Sequence, residues 1–397
     1  MGRCRTTMSL VLVVVCFLAG TALSTAPTPL YPAYEARFGI GPSGVTLLFA
    51  GFAVGAIASL LVSLRVIRGA DLRGVVALAA GIEAVAALAL ALLPSSAGFA
   101  VGRVLTGVGV GVLASSISVI IGRIAEAGPR SRSSTLALRI APALSMGGLA
   151  LGPLVSGLAA PSDPGGLRAL YLSYAAVLAV GAVAARVVIP RLPAPAAAPV
   201  AARAAPRAAA PAPAPAPRRP AGWILLGAFL AFSVTGLFGA LAPTLLAAMS
   251  GDVPVPVSGL VVASVFLAGA MAPQVVRGRA AGIRAGTATL VVGLVLVAGA
   301  TTVGVIGLFV AAGVLSGAGA GIVFSASLRS ALRSTDAATR PRASTLVFTA
   351  AYAGLAVPVV GVGLLLTAAP PALAAWLFAA AIAVGAVALR RAAPDRA

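Results

Sequence analysis

Charge is missing from this chain over long, evenly spaced stretches, and that spacing limits the folds open to it more than any motif does. Residues 6–34, 38–64, 104–122, 140–162, 169–185, 220–251, 253–276, 285–328 and 343–389 carry no charged side chain, and 74–102 is interrupted only by Glu83. A helix that crosses a bilayer core needs about 20 apolar residues, so most of these stretches fit one crossing. Two do not. Residues 285–328 would make a helix of about 66 Å, twice the core thickness. Residues 343–389 carry Pro370-Pro371 in their middle, and proline breaks a helix. Each of the two is read as a helical hairpin. Twelve spans result: 8–30, 43–64, 74–94, 97–121, 140–160, 167–188, 222–247, 257–276, 285–301, 304–328, 343–367 and 372–389. The fold class expected is an all-α membrane protein. With 60% hydrophobic and 9% charged residues, the chain lies far from a water-soluble enzyme or a secreted disulfide scaffold.

The arginines set the orientation. All 28 basic residues are arginine, and the formal net charge is +20. A balance this basic suggests nucleic acid, but these arginines lie between apolar stretches and not along one face, so nucleic acid is excluded as a partner. With the N-terminus inside, 25 of the 28 fall on the inner side. Arg37 and Arg168 fall outside, and Arg103 lies within a span. Positive residues collect on the cytoplasmic side, so both termini are expected there. Cys4 and Cys16 form no disulfide or metal pattern. The N-terminus has the form of a signal peptide, with Arg3 and Arg5, an apolar run and Ala22-Leu23-Ser24. It is read as an uncleaved first span, because many similar segments follow.

Residues 189–221, rich in proline, alanine and arginine, resist regular helix and divide the spans six and six. The organisation expected is an N-terminal half over 1–188, a cytoplasmic linker over 189–221 and a C-terminal half over 222–397. The halves repeat one another. Ala26-Pro27-Thr28-Pro29-Leu30 matches Ala242-Pro243-Thr244-Leu245-Leu246, TGVGVGVLASSIS at 106–118 matches SGAGAGIVFSASL at 316–328, and Gly148-Leu149-Ala150 matches Gly354-Leu355-Ala356. Like-oriented repeats imply a pseudo-two-fold axis along the membrane normal and a cavity between the halves.

Several motifs carry chemistry. Span 5 reads Gly148-Leu-Ala-Leu-Gly152-Pro153-Leu-Val-Ser-Gly157. Gly148 and Gly152 share a face and admit a neighbouring backbone, while Pro153 bends the helix; tight packing and a gating role are both open. Span 4 reads Arg103-Val-Leu-Thr-Gly107-Val-Gly109-Val-Gly111, and the position matching Arg103 in span 10 is Gly313. Arg103 lies roughly 9 Å below the outer boundary. It either reaches the outer headgroups or serves a function inside the bundle. Glu83 is the sole acid inside any span, about 7 Å from Arg103 in height, so an ion pair is within reach. A carboxyl at membrane depth is also a group that can load and release a proton.

The two six-span halves, the inner linker and these motifs resemble the major facilitator superfamily along the whole chain. The pattern of span 5 is similar to that of its drug–proton antiporter branch. That resemblance implies a proton-linked role for Arg103 beside Gly107, Gly109 and Gly111, with Glu83 as a further proton-coupling candidate. The family's loop between spans 2 and 3 is degraded here. Arg68 stands where its aspartate is expected, Leu64 replaces its first glycine, and Asp71, two residues before Arg73, comes three residues late. Pro27, Pro29 and Pro32, with Tyr31, close span 1, as terminators or as an antiporter-like proline pattern.

The function expected is proton-coupled export of hydrophobic or amphiphilic small molecules by alternating access. The protein would be a monomer in a bacterial-type cytoplasmic membrane, with lipid, protons and a small-molecule substrate as its partners and no cofactor. A chain without lysine has no Gly-Lys-Ser/Thr phosphate loop, which argues against ATP. A proton-coupled nutrient importer and a non-transporting sensor or scaffold are the alternatives. A membrane enzyme is disfavoured, because the chain has no histidine and one intramembrane acid.

Overall fold

The computed structural model describes residues 3–66, 71–126, 133–159, 164–189, 221–251, 253–276, 282–334 and 339–393. All the regular structure described is helical. The first half holds α1 (Arg3–Thr25), the short α2 (Tyr31–Phe38), α3 (Pro42–Val66), α4 (Leu72–Leu92), α5 (Ser96–Glu126), α6 (Ser133–Ala159) and α7 (Pro164–Val188). The second holds α8 (Gly222–Ser250), α9 (Val255–Val275), α10 (Ile283–Val303), α11 (Ile306–Arg333), α12 (Arg340–Leu365) and α13 (Pro371–Ala392). Apart from α2, the described helices match the twelve expected spans one for one. Eleven described segments are long and apolar enough to cross a bilayer, and Ala143–Ala159 of α6 is a shorter apolar stretch.

The breaks follow local chemistry. The 44-residue uncharged stretch turns at Gly304, whose φ of 71° favours glycine. Nothing lies within 4 Å of a Cβ built there, so the backbone angle and not crowding calls for glycine. Pro370-Pro371 separates α12 from α13 as expected, with Pro371 at the first helical position. The expected span 8–30 needs correction. Helix α1 stops at Thr25, a 3-10 turn covers Thr28–Leu30, and α2 follows. Pro27 and Pro29 remove two backbone donors in that corner.

Packing repeats as the sequence does. Helix α3 packs on α5 as α9 packs on α11; α4 pairs with α5 and α7 as α10 pairs with α11 and α13; and α1 lies on α6 as α8 lies on α12. The halves meet along α6 with α9 and along α3 with α12, which are counterparts under the repeat. Lipid gives two apolar surfaces no reason to prefer each other, so close backbone approach through small residues carries helix association. The glycine ladders supply it at equivalent positions. A Cβ at Gly107 would strike the Phe52 carbonyl, and one at Gly111 the Ala56 carbonyl. A Cβ at Gly317 would strike the Val265 carbonyl, and one at Gly321 that of Gly269. Apolar side chains such as Val180, Val187 and Val384 point outward, at up to 72% exposed. Two α2 residues, Tyr31 and Tyr34, are buried and cap the first half.

Candidate functional site

Glu83 and Arg103 sit inside the first half on neighbouring helices, and each side chain is 0% exposed. Glu83 extends from α4 into a slot that glycine creates. A methyl group at Gly109 would come within 2.5 Å of Glu83 Cγ, and one at Gly20 of α1 within 3.4 Å. No hydrogen bond reaches either carboxylate oxygen. The Arg103 guanidinium acts on Glu83 across space, and the Val110 backbone amide gives it weak donor support short of full hydrogen-bond geometry; no ion pair forms with Arg103. A carboxyl this poorly partnered inside a protein is costly to hold as an anion.

Arg103 does not snorkel to either surface. Its Nη1 donates to the carbonyl of Ser24 in the last turn of α1. Carbonyls there have lost their helical donors, and a cation is favourable at that end of a helix. The guanidinium carbon lies 5.4 Å from the Phe49 ring centroid and 5.2 Å from that of Phe52, both on α3, within cation–π range. Its Nε and Nη2 have no hydrogen-bond partner. The structure therefore brings the two sequence candidates into one buried region without pairing them.

Two clusters that the sequence reading did not assemble surround this pair. On one side, the Tyr34 and Tyr171 hydroxyls share a hydrogen bond of 2.9 Å. The Tyr31 hydroxyl is buried without a partner, and all three tyrosines lie within electrostatic reach of Arg103. On the other side, Phe52 meets Tyr352 of the opposite half edge-on at 5.6 Å. Tyr352 also contacts Phe232 and Phe348, and Phe324 closes the group. Only Phe348 and Tyr352 share a helix, four residues apart on α12, and the other three rings stand on α3, α8 and α11, so no sequence pattern gathers the five.

The α6 motif splits between two neighbours. Gly148 and Gly152 face α1, where added carbons would strike Thr21, the Ala22 carbonyl and Thr25. Pro153 cannot donate to the Leu149 carbonyl, and Thr25 Oγ1 donates to it instead at 2.8 Å. Gly157 faces the other half, where its Cβ would lie 3.0 Å from Gly259 Cα. Asp71 and Arg73 form a partly exposed ion pair at 2.5 Å, while Arg68 and residues 190–220 of the linker fall outside the described residues.

A further set of contacts joins the halves at the end of the bundle away from the termini. Thr28 Oγ1 donates to the Gly239 carbonyl at 2.8 Å, and Thr244 Oγ1 donates to Glu35 Oε1 at 3.2 Å. The Ala-Pro-Thr repeat was legible, but nothing in it told that its threonines cross between the halves.

A family model described as Major Facilitator Superfamily matches residues 10–284. No curated protein matches the sequence. Among solved structures, a bacterial homologue of the human lysosomal transporter Spinster, inward-facing and occupied, aligns with a TM-score of 0.69 at 14% identity, over 100% of this chain and 99% of that one. A form of the nucleoside transporter NupG aligns with a TM-score of 0.70 at 10% identity, over 97% of this chain and 100% of the other. At these identities the likeness is one of fold.

Proposed function

Because the chain belongs to the major facilitator superfamily, we propose that it is a secondary active transporter in which Glu83 and Arg103 couple proton movement to rocking of the two halves. The observation that carries this reading is the buried pair itself: an acid and a base at membrane depth, in one half only, close enough to feel each other and left unpaired. Two states follow from the chemistry. When Glu83 carries a proton it is a neutral group in a dry slot, and Arg103 rests on the Ser24 carbonyl and the rings of Phe49 and Phe52. When Glu83 loses the proton, its charge draws the guanidinium, which must leave the α1 carbonyl and the α3 rings to reach it. Helix α3 packs on α12 of the other half, and α1 leads into the Thr28–Leu30 turn that touches α8 and α9, so this exchange of partners reaches the parts that rock. No covalent chemistry is required, and the role is that of a carrier and not an enzyme.

The direction proposed is export, on the glycine–proline motif of α6. The substrates proposed are hydrophobic or amphiphilic small molecules, which suit the aromatic group formed by Phe52, Phe232, Phe324, Phe348 and Tyr352. The two structural neighbours carry the names of a Spinster homologue and a nucleoside transporter, and neither is taken as a guide to this chain's substrate. We also take residues 1–188 and 222–397 as the rocking units, 189–221 as their cytoplasmic linker, and both termini as cytoplasmic in a monomer of the bacterial-type inner membrane.

The test is flux of a compound panel in proteoliposomes with an imposed pH gradient. Gradient-driven flux of at least one amphiphilic compound is expected. It should fall at least about tenfold in Glu83→Gln and in Arg103→Ala, the scale of about 1.4 kcal/mol, while both variants remain folded. Unchanged gradient-driven flux in both would remove the pair from the mechanism.

A further inference from the structure

Two residues that follow the duplicated Ala-Pro pair do the same job in opposite directions. Thr28 lies three residues before α2 and donates across the seam to Gly239 of α8, and Thr244 of α8 donates back to Glu35 of α2. The two threonines are counterparts under the repeat, in Ala26-Pro27-Thr28 and Ala242-Pro243-Thr244.

The acceptor chosen by Thr28 explains why the motif holds a proline. Pro243 lies inside α8 and has no N–H, so the carbonyl four residues earlier, that of Gly239, loses its helical donor. At this depth a bare carbonyl must find another partner. Thr28 is fully buried and supplies it. The proline of one repeat thus makes an acceptor that the threonine of the other repeat fills. When the halves separate at this end, water takes over both acceptors, so the hydroxyls favour the closed seam alone. Neighbouring contacts tighten the same end, where a Cβ at Gly363 of α12 would strike Thr46 of α3, and Gly157 abuts Gly259.

We propose that Thr28 and Thr244 are positioning residues of the outer gate: a reciprocal pair of cross-half hydrogen bonds, built by the duplicated Ala-Pro-Thr motif, that sets how much of the protein stands open to the outside. The inference rests on the alternating-access reading and adds the group that opposes opening.

The experiment is a distance measurement between spin labels on the full chain in lipid nanodiscs. Labels at the exposed positions Ala36→Cys and Ser250→Cys, in a cysteine-free background, straddle the seam. Thr28→Val removes the hydroxyl with little change of shape and is expected to raise the long-distance population about tenfold, the size of one lost hydrogen bond to a buried acceptor. Thr244→Val, whose acceptor is only half-buried, should raise it about threefold, and the double variant should exceed either. Thr28→Ser keeps the donor and should restore the wild-type distribution. Unchanged distances in Thr28→Val, or a Thr28→Ser variant as open as Thr28→Val, would overturn the proposal. Thermal unfolding of each variant separates gate opening from loss of fold. Gradient-driven flux of the unaltered chain judges the transport reading separately: flux without any shift of distances sinks the gate, and shifted distances without flux sink the carrier.

Discussion

Helices α5 and α11 are the same design put to two uses. Their outward-spaced glycines meet the carbonyls of α3 and α9 at matching rungs, Gly107 and Gly111 in one half and Gly317 and Gly321 in the other. Between those rungs the halves part. Gly109 opens onto the carboxylate of Glu83, whereas its counterpart Gly319 opens onto the backbone of Leu290 and Gly286. One helical turn before the first rung, Arg103 occupies one half. Its counterpart Gly313 is backed by the Phe238 ring, 2.9 Å from where a Cβ would sit, and that ring packs on Phe309 at 5.7 Å. Where packing alone was needed, duplication kept the glycines. Where one half holds a charge, the other holds a phenylalanine. Symmetric packing alone would call for an arginine in both halves or in neither, and this asymmetry is the ground on which a coupling role for Arg103 and Glu83 is proposed.

Moving the charge to the wrong half should have the largest effect. Gly313→Arg would bring the guanidinium against Phe238 and add an insertion cost of about 2.5–3.5 kcal/mol at the centre of a bilayer. Little folded protein is expected by fluorescence-detected size exclusion, and normal yield would show that the second half tolerates a charge. Next come the shared rungs. Gly107→Ala and Gly317→Ala each press a methyl group into a backbone carbonyl and should lose about 1–3 kcal/mol of stability apiece, read as similar drops in thermal midpoint. A large difference between them would break the symmetry of the packing.

A sharper contrast lies at the divergent rung. In Gly109→Ala the atoms nearest the new methyl group all belong to the movable Glu83 side chain, so the fold should survive while gradient-driven flux falls several-fold. Gly319→Ala meets the Leu290 backbone, so stability should fall while flux per folded molecule is kept. Smallest of all is Asp71→Asn. It breaks a partly exposed ion pair and should cost at most about 1 kcal/mol, with flux unaltered. A strong loss of flux there would mean that the degraded loop still serves the gate.

How far the sequence could be read follows from which forces leave a mark in it. Lipid demands uncharged stretches and tolerates arginine mainly on one side, so the spans between Arg65 and Arg103 or between Arg342 and Arg390 were legible. The corner after Thr25 was legible only in part: Pro27, Pro29 and Pro32 marked the close of span 1, but the apolar run around them hid that the helix stops as early as Thr25. Arg103 and Glu83 stood out as charges in an apolar field. Their settings did not, since the Ser24 carbonyl is freed by a helix end that the sequence placed five residues late, and Phe49 and Phe52 are two of 13 phenylalanines. The seam bonds were hidden for a related reason. Thr28, Gly239, Glu35 and Thr244 come together only when two distant halves meet, and hydropathy holds no record of that meeting.

Proton release on substrate binding tests the central claim most directly. Detergent-solubilised protein in weakly buffered solution, mixed with a panel compound whose flux the pH gradient drives, is predicted to acidify the medium as Glu83 gives up its proton. Glu83→Gln should bind the same compound and release none. Equal proton release from the wild-type protein and from Glu83→Gln would contradict the account, because the coupling proton would then reside elsewhere.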